Sequence, residues 1–168
     1  PAAHLIIFGA GHIGACLGRI AAMLDFSVTV VDNRQEFADK ERLPWADTVI
    51  ADDYERAMQR VAFSERSYVV ILTHKHAHDF EVLEQCLAKP YCYLGMIGSR
   101  PKVAKVFQQL KDKGVSEETI RQIHSPVGLN IGGTTPGEIA ISILAEIIQV
   151  RSSIAAATRQ VPCCNPRA

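Results

Sequence analysis

The residues best suited to chemistry lie near the start of the chain, in Gly9-Ala10-Gly11-His12-Ile13-Gly14. Glycines at these intervals permit a tight turn at Gly9, close approach of backbone to a phosphate at Gly11, and a helix packed near a strand at Gly14. The chemistry is anion binding, because the first N–H groups of a helix have no partner within it. Asp32 follows, with Asn33 and Arg34 behind it. A carboxylate there is placed for a ribose hydroxyl pair, and Arg34 for a 2′-phosphate, so the nucleotide type stays open. A second group is Thr73-His74-Lys75-His76-Ala77-His78-Asp79. Three histidines so close suggest a metal, yet no further His pair, Cys pair or Glu stands at ligand spacing, and Lys75 sits between them. No metal is expected; the stretch reads as a polar loop with Thr73 and His74 nearest a cleft. Gly98-Ser99-Arg100 is a third candidate, joining a hydroxyl and a guanidinium at a helix start that Pro101 marks. The last is the loop holding Gly128, Gly132, Gly133, Thr134 and Thr135, whose glycines imply backbone close to a ligand or to another copy of the chain; the ligand is favoured here.

The elements that must position these groups follow from periodicity. Leu5-Ile6-Ile7-Phe8, Ser27 to Asp32, Asp47 to Ala51, Tyr68 to Thr73 and Tyr91 to Ile97 read as strands, the fourth apolar throughout and so buried on both faces. Between them, apolar residues at three- and four-residue spacing predict helices from Ile13 to Leu24, Tyr54 to Val61, Phe80 to Leu87 and Val103 to Leu110. A short helix is expected at Gln35 to Arg42, closed by Pro44, and another at Ser116 to Ile123. Asp52 or Asp53 is expected to cap the helix that follows them. Thr135, Pro136 and Glu138 form a capping box opening a helix through Val150. The alternation predicts an α/β, doubly wound (Rossmann-like) parallel sheet, strand order 3-2-1-4-5, with helices on both faces and right-handed crossovers. All the candidate groups then line one cleft at the carboxyl ends of the strands.

Composition narrows the function classes. The 168 residues suit one domain, expected over 1–151, with 152–168 a poorly ordered tail. With 48% hydrophobic and 21% charged residues a core is expected and disorder is not. Eighteen basic and 18 acidic side chains balance, so nothing favours nucleic acid or an anionic membrane. The apolar run Ile139 to Val150 is short for a span and is interrupted by Ser142 and Glu146. No signal peptide is visible, and Pro1 is expected to be a trimmed or processed boundary. Five cysteines without framework spacing suit a reducing cytoplasm, with Cys163-Cys164 in an untidy terminus.

Taken together, GAGHIG (9–14), VTVVDNR (28–34), VVILTHKHAHD (69–79), YLGMIGSRPK (93–102) and HSPVGLNIGGTTPGEIAISILAEII (124–148) resemble the Rossmann domain of the XdhC/CoxI family. These are accessory proteins of xanthine dehydrogenase and related molybdenum hydroxylases. The resemblance covers nearly all the chain up to Arg151, and its later motifs are far more specific than the glycine triplet. It implies a cofactor chaperone, not a dehydrogenase, that binds molybdenum cofactor (molybdopterin or its cytosine dinucleotide). Such a protein supports sulfuration of the cofactor with a cysteine desulfurase and its insertion into a molybdenum hydroxylase such as xanthine dehydrogenase. The site it implies is Gly9, Gly11, His12, Ile13, Gly14, Asp32, Asn33, Arg34, Thr73, His74, Gly98, Ser99, Arg100, Gly132, Gly133, Thr134 and Thr135. Family members commonly carry a preceding cysteine-bearing domain, and Gly137 stands where an acid is common. A homo-oligomer is compatible with this reading. Two other functions fit the residues: an NAD(P)-dependent oxidoreductase, with His74 or Lys75 as proton donor, and a nucleotide-sensing regulatory domain.

Overall fold

The computed structural model describes residues 3–159. Five parallel strands form its sheet: β1 (His4–Phe8), β2 (Ser27–Asp32), β3 (Thr48–Ala51), β4 (Ser67–Ile71) and β5 (Tyr93–Met96), in the order β3-β2-β1-β4-β5. β1 and β4 are central, and their side chains are almost wholly buried, which is why they read as unbroken apolar runs. Side chains alternate between two cores. Ile6, Phe8, Val69 and Ile71 face helices α2 (Tyr54–Arg60), α3 (His76–Cys86) and α4 (Arg100–Asp112), with the short α5 (Glu117–Arg121) beyond. Leu5, Ile7, Val28 and Val70 face α1 (His12–Ala22) and α6 (Pro136–Arg159). A single rung is added outside β5, where Gly95 pairs in parallel with His124 and the His124 N–H donates to Leu94 O at 2.9 Å. This rung carries the chain back to the carboxyl end of the sheet before α6 begins.

Three expectations are corrected here. No helix forms over Gln35 to Arg42. The segment is a chain of turns: the Arg42 side chain takes Glu36 O at 2.7 Å, a carbonyl a helix would use, and Lys40 reaches forward to Ala46 O beyond the segment. α1 stops at Ala22, short of Leu24, and Asp25 turns the chain with φ of 60°. α6 runs to Arg159, past Arg151, where the tail was expected to start. Ala155, Ala156 and Ala157 sustain it by propensity after the apolar pattern ends. Cys163 and Cys164 lie outside the described residues. Over Pro136–Ala156 the helix is also long and apolar enough, by length and composition alone, to cross a membrane, despite Ser142 and Glu146. Both polar groups bond within the domain, Ser142 Oγ to Leu129 O and Glu146 to Tyr93, while Ala140, Ile143 and Ile147 pack in the α1 core.

α1 and α6 run in the same direction. The Arg151 guanidinium lies 4.9 Å from the Phe26 ring just beyond α1. From these points back to each helix start is about 20 Å at 1.5 Å per residue, so both N-termini open at the carboxyl end of the sheet.

Candidate functional site

Between β1 and α1 the chain passes through a space only glycine fits. Gly9 has φ of 122°, and a Cβ there would lie 2.2 Å from Leu72 O. At Gly14 a Cβ would lie 1.9 Å from Gly9 O, so the first helical turn sits directly on the strand end. Gly11 differs: a Cβ would meet nothing within 4 Å. It is the N-cap of α1, without a side-chain capping bond or any acid in the first turn. His12 beside it is exposed and Ile13 half-buried. The start of α1 therefore offers N–H groups and the positive dipole end to an anion from an open side.

Asp32 is placed otherwise than a ribose-binding carboxylate. It is wholly buried, and it accepts from Ala10 N–H at 2.7 Å, Arg34 N–H at 3.0 Å, and Arg34 Nε and Nη2 at 2.9 Å each. The Arg34 guanidinium also lies over the Phe37 ring, 3.7 Å from its centre. Asp32 and Arg34 thus lock the glycine turn onto the end of β2. Burial pushes the Asp32 carboxyl up, but the Arg34 side-chain bonds, then the Ala10 and Arg34 N–H groups, outweigh it and hold it below the ordinary aspartate value. A carboxyl depressed in the fold contributes stability that is present above the unfolded value of about 4 and is lost as pH falls through the folded value. Asp32→Asn is expected to flatten the fall of stability below about pH 4, as read from urea midpoints at stepped pH. An unchanged slope would show that Asp32 is not part of the acid transition.

At the end of β4, Thr73 is buried and also engaged. Its N–H and hydroxyl donate to Asp79 Oδ1 at 3.0 and 2.6 Å, and the hydroxyl also lies 2.9 Å from Lys75 O. Asp79 Oδ2 receives Lys102 Nζ, which also donates to Ile97 O at 3.2 Å. The carboxylate is 1% exposed and the lysine 13%. Two loops that read as separate motifs, LTHKHAHD and IGSRPK, are thereby joined by one buried ion pair. His74 is exposed at the mouth, its ring 5.8 Å from that of His78. Among the described residues, no three His, Cys, Asp or Glu side chains come together as a metal-ligand set.

The remaining candidates divide. Ser99 caps α4 without a side-chain bond, no acid stands in the first turn, and both Ser99 and Arg100 are exposed, so this N-terminus is open like that of α1. Arg100 and residues 126–130 line a cavity of about 400 Å³. Gly98 packs on the Lys102 side chain. The loop glycines are explained mainly from within the domain, against the expectation of a ligand. A Cβ at Gly128, which has φ of 97°, would lie 2.3 Å from Ser142 Oγ in α6, and one at Gly133 2.6 Å from Glu138 Cβ. Only Gly132 is open. The capping box forms as expected, Glu138 Oε2 accepting from Thr134 and Thr135 N–H at 2.9 and 3.0 Å. That carboxylate occupies the place an anion would take, so Gly132 to Thr135 form an exposed, self-satisfied turn. Asp53 is the N-cap of α2, but no side-chain capping bond forms; the neighbouring Asp52 pairs with Arg60 instead.

Three groups outside the expected set shape this end of the domain: Asp79 with Lys102, Glu138, and Glu146. Glu146 Oε1 takes Tyr93 OH at 2.5 Å and Gly128 N–H at 3.1 Å, with His124 Nδ1 at 3.5 Å, pinning the 124–130 loop to α6. Burial pushes the Glu146 carboxyl up, but bonds from His124, Tyr93 and Gly128 bring it below the ordinary glutamate value. Glu146→Ala is expected to speed hydrogen exchange at the Gly128 amide by about tenfold, a loss of one bond to a charged acceptor. Unchanged exchange would mean the loop is held by Ser142 alone.

Comparison with known proteins places this architecture. A family model described as the XdhC Rossmann domain matches residues 5–147. A Bacillus subtilis protein, described as a probable component of xanthine dehydrogenase, is 32% identical over 155 residues, 92% of this chain and 45% of its own length. The molybdenum cofactor insertion chaperone PaoD of Escherichia coli is 36% identical over 84 residues, 49% of this chain and 26% of that protein. A crystal structure described as a xanthine dehydrogenase from Bacillus halodurans superposes with a TM-score of 0.84 at 33% identity, covering 94% of this chain and 47% of that one. The chain spans less than half the length of each of these relatives.

Proposed function

The chain belongs to the XdhC family, as its Rossmann domain, and from that premise we propose that it holds molybdenum cofactor as cargo during maturation of a xanthine dehydrogenase-type hydroxylase. The observation that carries this reading is the start of α1: an uncapped helix N-terminus, free of acids, with open space over Gly11. The cofactor ends in a phosphate, or in a diphosphate in its cytosine dinucleotide form, and both fit that opening. Gly11, His12 and Ile13 would hold the phosphate. Gly9 and Gly14 would set the turn, and the Asp32–Arg34 pair would keep it rigid. Ser99 and Arg100, at the second open N-terminus, offer a second anionic contact. The molybdenum chemistry is expressed in the hydroxylase that receives the cofactor; this chain binds and orients it. A cysteine desulfurase, acting while the cofactor is held, and the apo-hydroxylase are the partners this reading requires, and with them it expects the domain in the cytoplasm.

An NAD(P)-linked oxidoreductase is the weaker reading because the ribose-binding carboxylate it needs already accepts four hydrogen bonds. Calorimetry under anaerobic conditions decides between them. Molybdenum cofactor is expected to bind with Kd of about 1 μM or tighter, which is about −8 kcal/mol, and NAD and NADP at least a hundredfold more weakly. Binding of the nicotinamide nucleotides alone would overturn the proposal.

A further inference from the structure

The acid that ends β2 has no acceptor position left for a ligand. Its Oδ1 accepts from Arg34 N–H at 3.0 Å and from Arg34 Nε at 2.9 Å. Its Oδ2 accepts from Ala10 N–H at 2.7 Å and from Arg34 Nη2 at 2.9 Å. A carboxylate offers about four such positions, so the Asp32 side chain is filled. Two of the donors are backbone groups that fix the glycine turn, and the other two are the paired N–H groups of one guanidinium. We propose that the Arg34 fork stands in for the vicinal diol of a ribose, so that this opening takes phosphate esters and gains nothing from an attached nucleoside. The molybdopterin form of the cofactor, whose phosphate is terminal, satisfies such an opening completely. The cytidine of the dinucleotide form would find its place taken. This deepens the cofactor-binding reading and rests on the phosphate opening at Gly11.

The exchange of one donor pair for another is chemically direct. A vicinal diol and a guanidinium edge each present two donors side by side, and a carboxylate can meet either with both oxygens. In the dinucleotide sites of this fold the acid near the end of β2 meets the ribose. Here the guanidinium has that place first, and it is held there. The Asp32 side chain is 0% exposed and that of Arg34 24%, so the arginine forms the outer side of the pair. The Phe37 ring lies against the guanidinium, and Arg34 O accepts from the Phe37 and Ala38 N–H groups at 3.0 Å each, which fixes the turn from which the side chain returns. The bonds to Asp32 push the guanidinium pKa further up, so the fork keeps all its protons. The pair also cancels a negative charge that stands one hydrogen bond from the glycine turn, where it would repel a phosphate.

The test titrates the full chain with inorganic pyrophosphate, CDP and 2′,3′-dideoxy-CDP, which differs from CDP only in lacking the diol. The wild type is expected to bind the two nucleotides within about twofold of each other. In Arg34→Ala two acceptor positions on Asp32 open, and CDP should bind about tenfold more tightly than the dideoxy analogue. Adding Asp32→Asn should remove most of that preference, since one amide oxygen cannot meet both hydroxyls. The ratio is read within each protein, so a general change in affinity or a lower Tm leaves it readable. Arg34→Gln, which can keep one donor on Asp32 and frees the other position, replaces Arg34→Ala if the latter does not fold. A tenfold preference for CDP in the wild type would overturn the proposal whatever the variants do. Equal binding of both nucleotides by the folded variant would also overturn it, as would a wild type that binds none of the three. Molybdenum cofactor binding that persists in any of these cases would leave the proposed function standing. A wild type blind to the diol and a variant selective for it, without cofactor binding, would do the opposite.

Discussion

Lys102→Met is expected to destabilise the domain by about 3 kcal/mol, lowering Tm by about 6–12 °C. The change keeps the length and apolar body of the side chain and removes only the cation that faces Asp79, a carboxylate 1% exposed. Breaking a buried pair from one side costs about 3–5 kcal/mol, more than the pair itself contributes, because the remaining charge stays out of water. The lower end of that range applies, since Thr73 still donates two hydrogen bonds to Asp79. Asp79→Asn added to Lys102→Met should recover part of the loss, because the amide oxygen still accepts from Thr73 while the unpaired charge is gone, and the double-mutant cycle should show coupling of about 1 kcal/mol or more, on the order expected for contacting residues. Equal melting of wild type and Lys102→Met would show that the ion pair does not tie the two loops together.

Gly11→Asp is expected to abolish ligand binding, by about a hundredfold or more, while the protein folds as before. A Cβ at this position meets nothing, and an acid near a helix N-terminus is favourable to the helix itself. The added carboxylate would occupy the anion's place and repel it. Gly14→Ala makes the necessary contrast: its Cβ would fall 1.9 Å from Gly9 O, so that variant should lose stability before binding can be measured. Circular dichroism and calorimetry on both variants separate these outcomes. A folded Gly11→Asp protein that keeps its affinity for cofactor would remove the phosphate from this turn.

These two positions also show what could be read from residue order. The sheet order was legible because β1 and β4 are buried on both faces and carry unbroken apolar runs, and because glycines and helices separate the strands. The turn over 35–46 was not, since Arg42 and Lys40 claim carbonyls across several residues and only folding brings them there. Within the site, Gly9, Gly11 and Gly14 could be assigned by spacing, but which of them faces open space depends on Leu72 and on the crossing of β4. Asp32 was visible as an acid ending a strand; the return of Arg34 onto it was not. The Thr135–Glu138 capping box was evident, and it carried a consequence that conflicts with an anion site at Gly132 to Thr135: the helix brings its own carboxylate. Asp79 and Lys102 are 23 positions apart, and their pairing depends on the register of β4 against β5.

The Asp79–Lys102 pair bears on how this domain can drift over evolutionary time. A lineage that loses the lysine first passes through a protein near its folding threshold, and one that loses the aspartate first leaves a mostly buried ammonium. The two positions are therefore expected to vary together among homologues, the lysine being lost where an uncharged acceptor for Thr73 replaces the aspartate. Neighbouring surface positions such as Lys105 and Gln109 are free to change singly.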